Sequence, residues 1–256
     1  NLGSPKELTK KSVRNYLKVF LSDDYVLDIP KILQQTILRL FILPFRPKNT
    51  LEAYELIWTP DGSPLILSTE SIAKKLSSKT GWDVDYAMRY EDPSIENALL
   101  NFKNKGIYKI IVISLYPHNA MATTITTEIE TRIVANKLSE DFELVFTKPF
   151  FDNEIYINAI SNTIKPYIEK ASFDKIVFSY HGIPKRQAKK TDETGEHCFS
   201  NGNCCEIKGD GSKDCYRSHT RIASDLTAKK LGLSDDQWEV AYQSRLGPGW
   251  LTPFTD

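Results

Sequence analysis

The sequence lacks an excess of charge of either sign and lacks a long hydrophobic run. Its 256 residues include 33 Lys plus Arg and 33 Asp plus Glu, a balance that gives no support to nucleic-acid binding. The longest apolar stretch, residues 37–45, is interrupted by Arg39 and Pro44 and falls well short of the about 20 residues that span a bilayer. No signal peptide is recognisable. These absences favour a cytoplasmic globular protein.

Cysteine is missing from the whole chain except one short segment. All four cysteines lie within "HCFSNGNCCEIKGDGSKDC", as Cys198, Cys204, Cys205 and Cys215, which indicates a shared site. Disulfides are one interpretation, although they are typical of secreted proteins. Structural zinc is a second, but the C-x5-C-C-x9-C spacing lacks the usual paired knuckles. An iron–sulfur cluster is a third, because it needs four thiolates and tolerates irregular spacing.

Strand-like and helix-like patterns alternate through most of the chain. The patterns predict strands at 83–90, 108–117, 142–149, 173–182 and 238–247. They predict helices at 9–23, 93–106, 122–139, 153–171 and 215–233. This order predicts an α/β fold of βαβ units, with mostly parallel sheets flanked by helices on both faces. Two continuous apolar strands, 108–117 and 173–182, are predicted to be buried on both faces.

The segment 28–45, "DIPKILQQTILRLFILPF", is strongly apolar and allows two interpretations. It could be a helix buried in the core. It could equally be an exposed apolar lip that faces a hydrophobic ligand or a membrane surface.

Chemically useful side chains follow several of the predicted strands. Ligands bind outside the carboxyl ends of strands in open α/β sheets, so these positions are the candidates for a site. No Gly-x-Gly-x-x-Gly turn or phosphate-binding loop follows a strand, which leaves nucleotide binding without support. His181 is the strongest base candidate, and Gly182 beside it is predicted to let a flat ligand approach closely. His219 is predicted to be structural, and His118 is open to either interpretation.

Eight stretches together resemble the ferrochelatases, the enzymes that insert ferrous iron into a porphyrin. They occur in the family's order and spacing and cover nearly the whole chain. They are "NLGSP" at 1–5, "FLSDDYVLDIP" at 20–30, "LPFRP" at 43–47, "EAYELIWTPDGSPL" at 52–65, "MRY" at 88–90, "LYPHNAMATT" at 115–124, "FSYHGIP" at 178–184 and "YQSRLGPGWLTPFTD" at 242–256.

The resemblance implies two Rossmann-like, chelatase-type domains with a porphyrin cleft between them. The first would be 1–122, including the lip at 28–45, and the second 123–256, including a cysteine-rich insertion at 196–215. The implied reaction places Fe²⁺ in protoporphyrin IX, the terminal step of haem biosynthesis. The lip would make a peripheral contact with the inner membrane. The "RPK" and lip pattern resembles the Gram-negative type, which uses protoporphyrin IX, more than the coproporphyrin type.

The resemblance also implies roles for individual residues. His181 corresponds to the family's active-site histidine, as base or as ligand of the substrate iron. Arg89 and Arg245 would pair with propionates or hold the domains together. The insertion looks like those that hold a [2Fe–2S] cluster, so we predict that the four cysteines converge on one, helped by a turn at Gly202-Asn203. The expected substrate-binding residues are Ser63, Arg89, Tyr90, Tyr116, Asn119, Thr123, Tyr180, Ser244 and Trp250.

Two departures from the family pattern are visible. The family's chain continues beyond the motif that ends at residue 256, with a glutamate that faces the histidine, so the sequence is expected to be truncated at both ends. Asn119 stands where many relatives have an aromatic residue. The alternatives are therefore a non-catalytic porphyrin- or metal-binding fragment, a coproporphyrin ferrochelatase, or a cobalt or nickel chelatase of related fold. The sequence carries no signal for an oligomeric state.

Overall fold

The computed structural model describes residues 1–170, 172–202, 204–205, 209–245 and 247–255. Its α-helices are α1 Lys10–Leu21, α2 Lys31–Ile37, α3 Leu43–Glu55, α4 Pro64–Thr80, α5 Ile95–Asn104, α6 Thr126–Leu138, α7 Glu154–Ile168, α8 Lys185–Lys190, α9 Asp210–Lys213 and α10 Tyr216–Leu231. Its other helical turns are the π-helical turns Leu38–Ile42 and Met121–Ile125 and the 3-10 turn Asp235–Gln237. Its strands are β1 Lys109–Val112, β2 Glu143–Phe146, β3 Ile176–His181 and β4 Trp238–Gln243.

The described strands form two small parallel sheets. β1 pairs with β2, starting at Lys109 opposite Glu143, and β3 pairs with β4, ending at His181 opposite Gln243. The predicted α/β class with parallel sheets is therefore confirmed.

The chain divides into two compact units, 1–115 with 125–147 and 116–124 with 148–256. The first unit holds two apolar cores, one beneath α1 and α3 and one where α5 and α6 pack on β1. The second unit packs α7 and α10 together and α10 against β4. Its buried core is formed by Ala120, Ile183, Ala188, Tyr216, Val240, Tyr242 and Leu251. The predicted division at residue 122 into two chelatase-type domains stays a prediction.

The predicted strand over 83–90 is wrong, since no strand is formed over those residues. The N–H groups of Arg89 and Tyr90 instead donate to the carbonyls of Asn1 and Leu2, at 2.7 and 3.0 Å. Gly3 permits this close approach, because a Cβ at that position would lie 2.1 Å from the carbonyl oxygen of Tyr90. The backbone pairing is thus present, but it is too short to make a sheet.

Burial on both faces is also wrong for 108–117 and 173–182. Ile110 of β1 is buried in the core with α5 and α6, whereas Ile111 and Ile113 are 49% and 47% exposed. Val177 of β3 is likewise 45% exposed. These short strands alternate between an inner and an outer face, as expected when helices pack on one face of a sheet.

The lip at 28–45 combines the two interpretations that its sequence allowed. The π-helical turn places Leu38 and Leu43, five residues apart, in the same buried core, and the N–H of Leu43 donates to the carbonyl of Leu38. Pro44, which follows, has no N–H for a regular helical bond. The outward side chains are exposed, by 85% at Ile32, 60% at Leu40, 64% at Phe41 and 70% at Phe45.

The base of the lip is tied to the end of α1. The fully buried side-chain amide of Gln34 donates to the carbonyl of Asp23 and the carboxylate of Asp24, at 3.1 and 3.2 Å. Lys31 adds a bond to the carbonyl of Ser22 at 2.8 Å. Within the described ranges, the helices are all too short or too polar to cross a membrane.

Candidate active site and cysteine site

His181 is the last residue of β3, and it is partly exposed to solvent. The phenol of Tyr216 donates to its backbone carbonyl at 3.0 Å, and the N–H of Gly182 donates to the carbonyl of Gln243 at 2.8 Å. The surrounding protein lowers the pKa of the imidazole below its ordinary value, because partial burial disfavours the cation. The structure therefore favours the neutral form of this imidazole and fixes its backbone from two sides.

Gly182 does not leave open space for a flat ligand, contrary to the prediction. A Cβ at this position would lie 2.8 Å from the carbonyl oxygen of Gln243 and 3.3 Å from the Trp250 ring. The following residues pair with the 249–251 segment, since Leu251 donates to Ile183. The glycine is needed for this packing of the strand end.

A buried hydrogen-bond network joins Asn119 to residues at and near the start of α10. Asn119 donates its backbone N–H to Nδ1 of His219 at 3.1 Å and its side-chain amide to the carbonyl of Asp214 at 3.1 Å. Nε2 of His219 must then carry the proton, and it donates to Lys213 at 2.7 Å. The predicted structural role of His219 fits this arrangement.

His118, the residue before Asn119, is 9% exposed and packs between two tyrosine rings. The ring centroids of Tyr180 and Tyr216 are 5.2 and 5.9 Å away, both edge to face. Burial, with a smaller effect of nearby His219, lowers the pKa of His118 to about 4, so the imidazole is neutral. The Tyr180 hydroxyl shares a hydrogen bond with Ser224 at 2.9 Å.

The remaining predicted substrate-binding residues of the second unit are Tyr116, Thr123, Ser244 and Trp250. Tyr116 and Thr123, which precede and follow Asn119 in the sequence, are half-buried. Ser244 is exposed directly after β4, with a positive φ of 65° that is uncommon for a serine. Trp250 is half-buried against Gly182.

Three predicted site residues, Ser63, Arg89 and Tyr90, belong to the first unit. Ser63 is buried at the start of α4. The carboxylate of Asp23 accepts hydrogen bonds from Arg89 at 2.7 Å, Tyr90 at 2.8 Å and Thr126 at 2.6 Å. The side chains of Asp23 and Arg89 are only 6% and 14% exposed, so this is a buried ion pair.

All four cysteines are free thiols, and three of them are joined by hydrogen bonds. The thiols of Cys205 and Cys198 both donate to Cys215. The bond to Cys215, then burial, raises the pKa of Cys205, whereas burial is the main cause of the raised pKa of Cys198. The donated bond from Cys205, and then the N–H groups of Ser218 and Arg217, lower the pKa of Cys215 despite its burial. The N–H of Phe199 contacts the Cys204 sulfur at 3.4 Å. The chain thus gathers its thiols at the start of α10 and stabilises one thiolate.

Asp192, a residue that the sequence patterns did not single out, organises the segment before these cysteines. Its carboxylate accepts the N–H groups of His197 and Cys198 at 2.9 and 2.7 Å and both polar groups of Thr194. These bonds, that of the Thr194 hydroxyl first, lower the pKa of Asp192 to about 2. The turn predicted at Gly202-Asn203 lies partly outside the described residues, because Asn203 is not among them.

The described thiols do not form a metal site in their present arrangement. Among the residues that the structure describes, no set of three or more His, Cys, Asp or Glu side chains is arranged to hold a metal ion. The donor types are those of an iron–sulfur cluster, since four thiols lie in one segment and N–H groups contact the sulfurs of Cys204 and Cys215. The described residues therefore fit the group by donor type, and their arrangement is not yet that of a metal site.

An α/β chain with small parallel sheets is consistent with a chelatase-type fold. The ferrochelatase family model matches residues 1–256, and the chain belongs to that family. It is 35% identical to the ferrochelatase of Pseudomonas fluorescens (strain SBW25) and 36% identical to that of Stutzerimonas stutzeri (strain A1501), covering all of this chain and 75% of each relative. It is 38% identical to the ferrochelatase of Coxiella burnetii (strain Dugway 5J108-111), with 72% of the relative covered. The protein is thus an enzyme of haem biosynthesis that inserts ferrous iron into a porphyrin.

Proposed function

We propose that His181 is the residue that acts on the porphyrin and its incoming iron. The observation that carries this proposal is the position of the imidazole at the end of β3, with its backbone fixed by Tyr216 and by β4 and its pKa lowered by burial. Iron insertion requires two pyrrole protons to leave and a hydrated Fe²⁺ to lose water. A neutral imidazole can accept such a proton or coordinate Fe²⁺, and both roles need the same free lone pair.

The porphyrin would be bound by polar and aromatic side chains. The polar and aromatic set comprises Ser63, Tyr116, Asn119, Thr123, Tyr180, Ser244 and Trp250. Aromatic walls exclude water and favour a bent macrocycle, whose nitrogen lone pairs are accessible. For Arg89 and Tyr90, the buried bonds to Asp23 favour a supporting role over direct porphyrin contact.

The porphyrin itself is proposed to be protoporphyrin IX. The exposed apolar side chains of the lip suit a macrocycle with vinyl groups better than one that carries four propionates. We expect a kcat/KM for protoporphyrin IX at least about tenfold above that for coproporphyrin III, the factor that 1.4 kcal/mol of differential transition-state binding produces. Steady-state assays of the full chain with Fe²⁺ and each porphyrin measure this ratio. A ratio that favours coproporphyrin would overturn the substrate assignment and leave the reaction type unchanged.

The lip is proposed to hold the protein at a membrane surface. Each exposed apolar side chain that enters the lipid contributes about 1.5–3 kcal/mol. The double variant Leu40→Asp/Phe41→Asp is therefore expected to weaken binding to anionic phospholipid vesicles by about 100-fold or more. Co-sedimentation with vesicles measures the change.

The control for the lip is Ile155→Asp, which removes an even more exposed apolar side chain (80%) from α7. It should bind vesicles as the unmodified protein does. Equal binding by the lip variant and this control would show that the lip is not the membrane contact.

The cysteine segment is proposed to hold a [2Fe–2S] cluster on Cys198, Cys204, Cys205 and Cys215. Four free thiols within one short segment, one of which has a lowered pKa, support this proposal. When bound, the cluster would supply a cross-link that orders the segment, separate from the iron that is inserted.

Protein purified without oxygen is expected to absorb in the visible region and to contain two irons and two sulfides per chain. Cys204→Ser should lose both signals, while Ser200→Ala, in the same segment, should keep them. Colourless protein with four titratable thiols would rule the cluster out, and the reaction assigned to the family would still stand.

A further inference from the structure

Tyr216 is the buried side chain that contacts the backbone of His181. Its hydroxyl lies 3.0 Å from the carbonyl oxygen of His181, 35 residues earlier in the chain. The residue is 8% exposed. A phenol is ordinarily protonated at neutral pH, so the hydroxyl acts as a donor to that carbonyl.

The ring of Tyr216 is fixed as firmly as its hydroxyl. The His118 ring packs edge-on against Tyr216 and also against Tyr180, the residue that precedes His181. One neutral imidazole thus braces both the donor and the strand that carries the acceptor. Because the ring of Tyr216 is already held by packing, little conformational entropy is lost when its hydroxyl forms the hydrogen bond. The bond can therefore fix the position of the His181 carbonyl.

The position of Tyr216 in the chain links two groups of candidate residues. It is the first residue of α10 and directly follows Cys215. Two residues before Tyr216, the carbonyl of Asp214 accepts a hydrogen bond from the side-chain amide of Asn119. His219, on the same helix as Tyr216, accepts the backbone N–H of Asn119. The start of α10 therefore touches the strand-end loops of both Asn119 and His181.

We propose that Tyr216 is a positioning residue for iron insertion, which fixes the carbonyl of His181 and with it the direction of the imidazole. The proposal rests on the role assigned to His181 above. Without the hydroxyl, the strand end is free to shift, and small displacements of a reacting group are costly in rate. We expect Tyr216→Phe to lower kcat about tenfold, with KM for the porphyrin within about twofold, because Tyr216 is not assigned to porphyrin binding.

Tyr242→Phe is the matched control. Tyr242 is buried in the same core, and its hydroxyl shares a hydrogen bond with Thr220 at 2.9 Å. Both variants remove one buried hydroxyl, so both should lower the thermal midpoint by a similar amount. A purely structural role for Tyr216 predicts equal activity in the two variants.

A second readout follows the imidazole directly. In protein with isotope-labelled histidine, the ring resonance of His181, assigned by its absence from His181→Ala, should shift and broaden in Tyr216→Phe and not in Tyr242→Phe. Replacing Tyr216 with 4-aminophenylalanine restores a donor and should recover kcat. If Tyr216→Phe does not fold, 4-fluorophenylalanine at position 216 removes the donor while keeping the ring's size.

Equal kcat in Tyr216→Phe and Tyr242→Phe, or a change confined to KM, would overturn the proposal. Parallel assays of His181→Ala separate this failure from a failure of the proposed function. An inactive His181→Ala beside a fully active Tyr216→Phe leaves His181 assigned and removes Tyr216 alone. An active His181→Ala removes both.

Discussion

Replacing His181 with alanine is expected to abolish iron insertion while the protein stays folded. The variant removes the imidazole that stands at the end of β3, whose pKa is lowered by burial. General acid–base catalysis contributes about 10²–10⁴-fold to a rate, so residual turnover should be at or below a hundredth of normal. A continuous assay of Fe²⁺ insertion into protoporphyrin IX in the full chain measures it. In the unmodified protein, the acidic limb of the pH profile should lie below pH 6.5, because partial burial lowers the pKa of this imidazole.

Ser179→Ala is the control for this experiment. Ser179 lies two residues earlier on the same face of β3, is exposed, and bonds to Thr255 at 2.9 Å. It should keep normal turnover, and both variants should unfold at nearly the same temperature. Turnover of His181→Ala within a few-fold of Ser179→Ala would refute the assignment.

Asp23→Ala is expected to cause the largest loss of stability among single substitutions in the first unit. It leaves the guanidinium of Arg89 buried without the carboxylate that pairs with it at 2.7 Å, with Glu130 more distant at 3.7 Å. Breaking a buried ion pair in this way costs about 3–5 kcal/mol, because one charge remains desolvated and uncompensated. Urea unfolding of the full chain, followed by circular dichroism, measures the change in free energy of unfolding.

The neighbouring residue supplies the control. Asp24 also forms an ion pair, with Lys31 at 2.7 Å, but both side chains are more than half exposed. Asp24→Ala should therefore cost no more than about 1 kcal/mol. Asp23→Asn, which keeps one acceptor oxygen, should fall between the two alanine variants. Similar losses for Asp23→Ala and Asp24→Ala would mean that the buried network does not stabilise the unit.

Local patterns were sufficient for much of the fold. Helices such as α1 and α7 begin where Thr9 and Asn153 accept the first free N–H groups, and both signals are visible in the sequence. The parallel pairing of β3 with β4 follows from the alternation of strands and helices. The strand at 83–90 and the two-sided burial were wrong, because pairing partners and the covering of a sheet face are tertiary properties. Helix α4 was missed, although Gly81 closes it with a positive φ.

The candidate site was predictable in its parts and not in its connections. His181 was indicated by its place after an apolar strand, and the cysteines by their clustering. Asp23 and Tyr216 were missed, because their partners lie 66 and 35 residues away, a distance that no local pattern encodes. Two signals were available: Asp23 lies within a motif of the family, and Tyr216 directly follows a cysteine.

The lip divides its residues between two tasks, and this division bears on how its sequence can change. Gln34, Leu38 and Leu43 face inward and hold the segment to the protein. Ile32 and Phe41 face outward and contribute almost nothing to the core. Mutations at the outward positions are therefore nearly neutral for folding, so selection can tune this surface to a different lipid composition without a compensating change elsewhere. For the same reason, an engineer could graft the outward residues of another relative onto this backbone, provided that the three inward positions are kept.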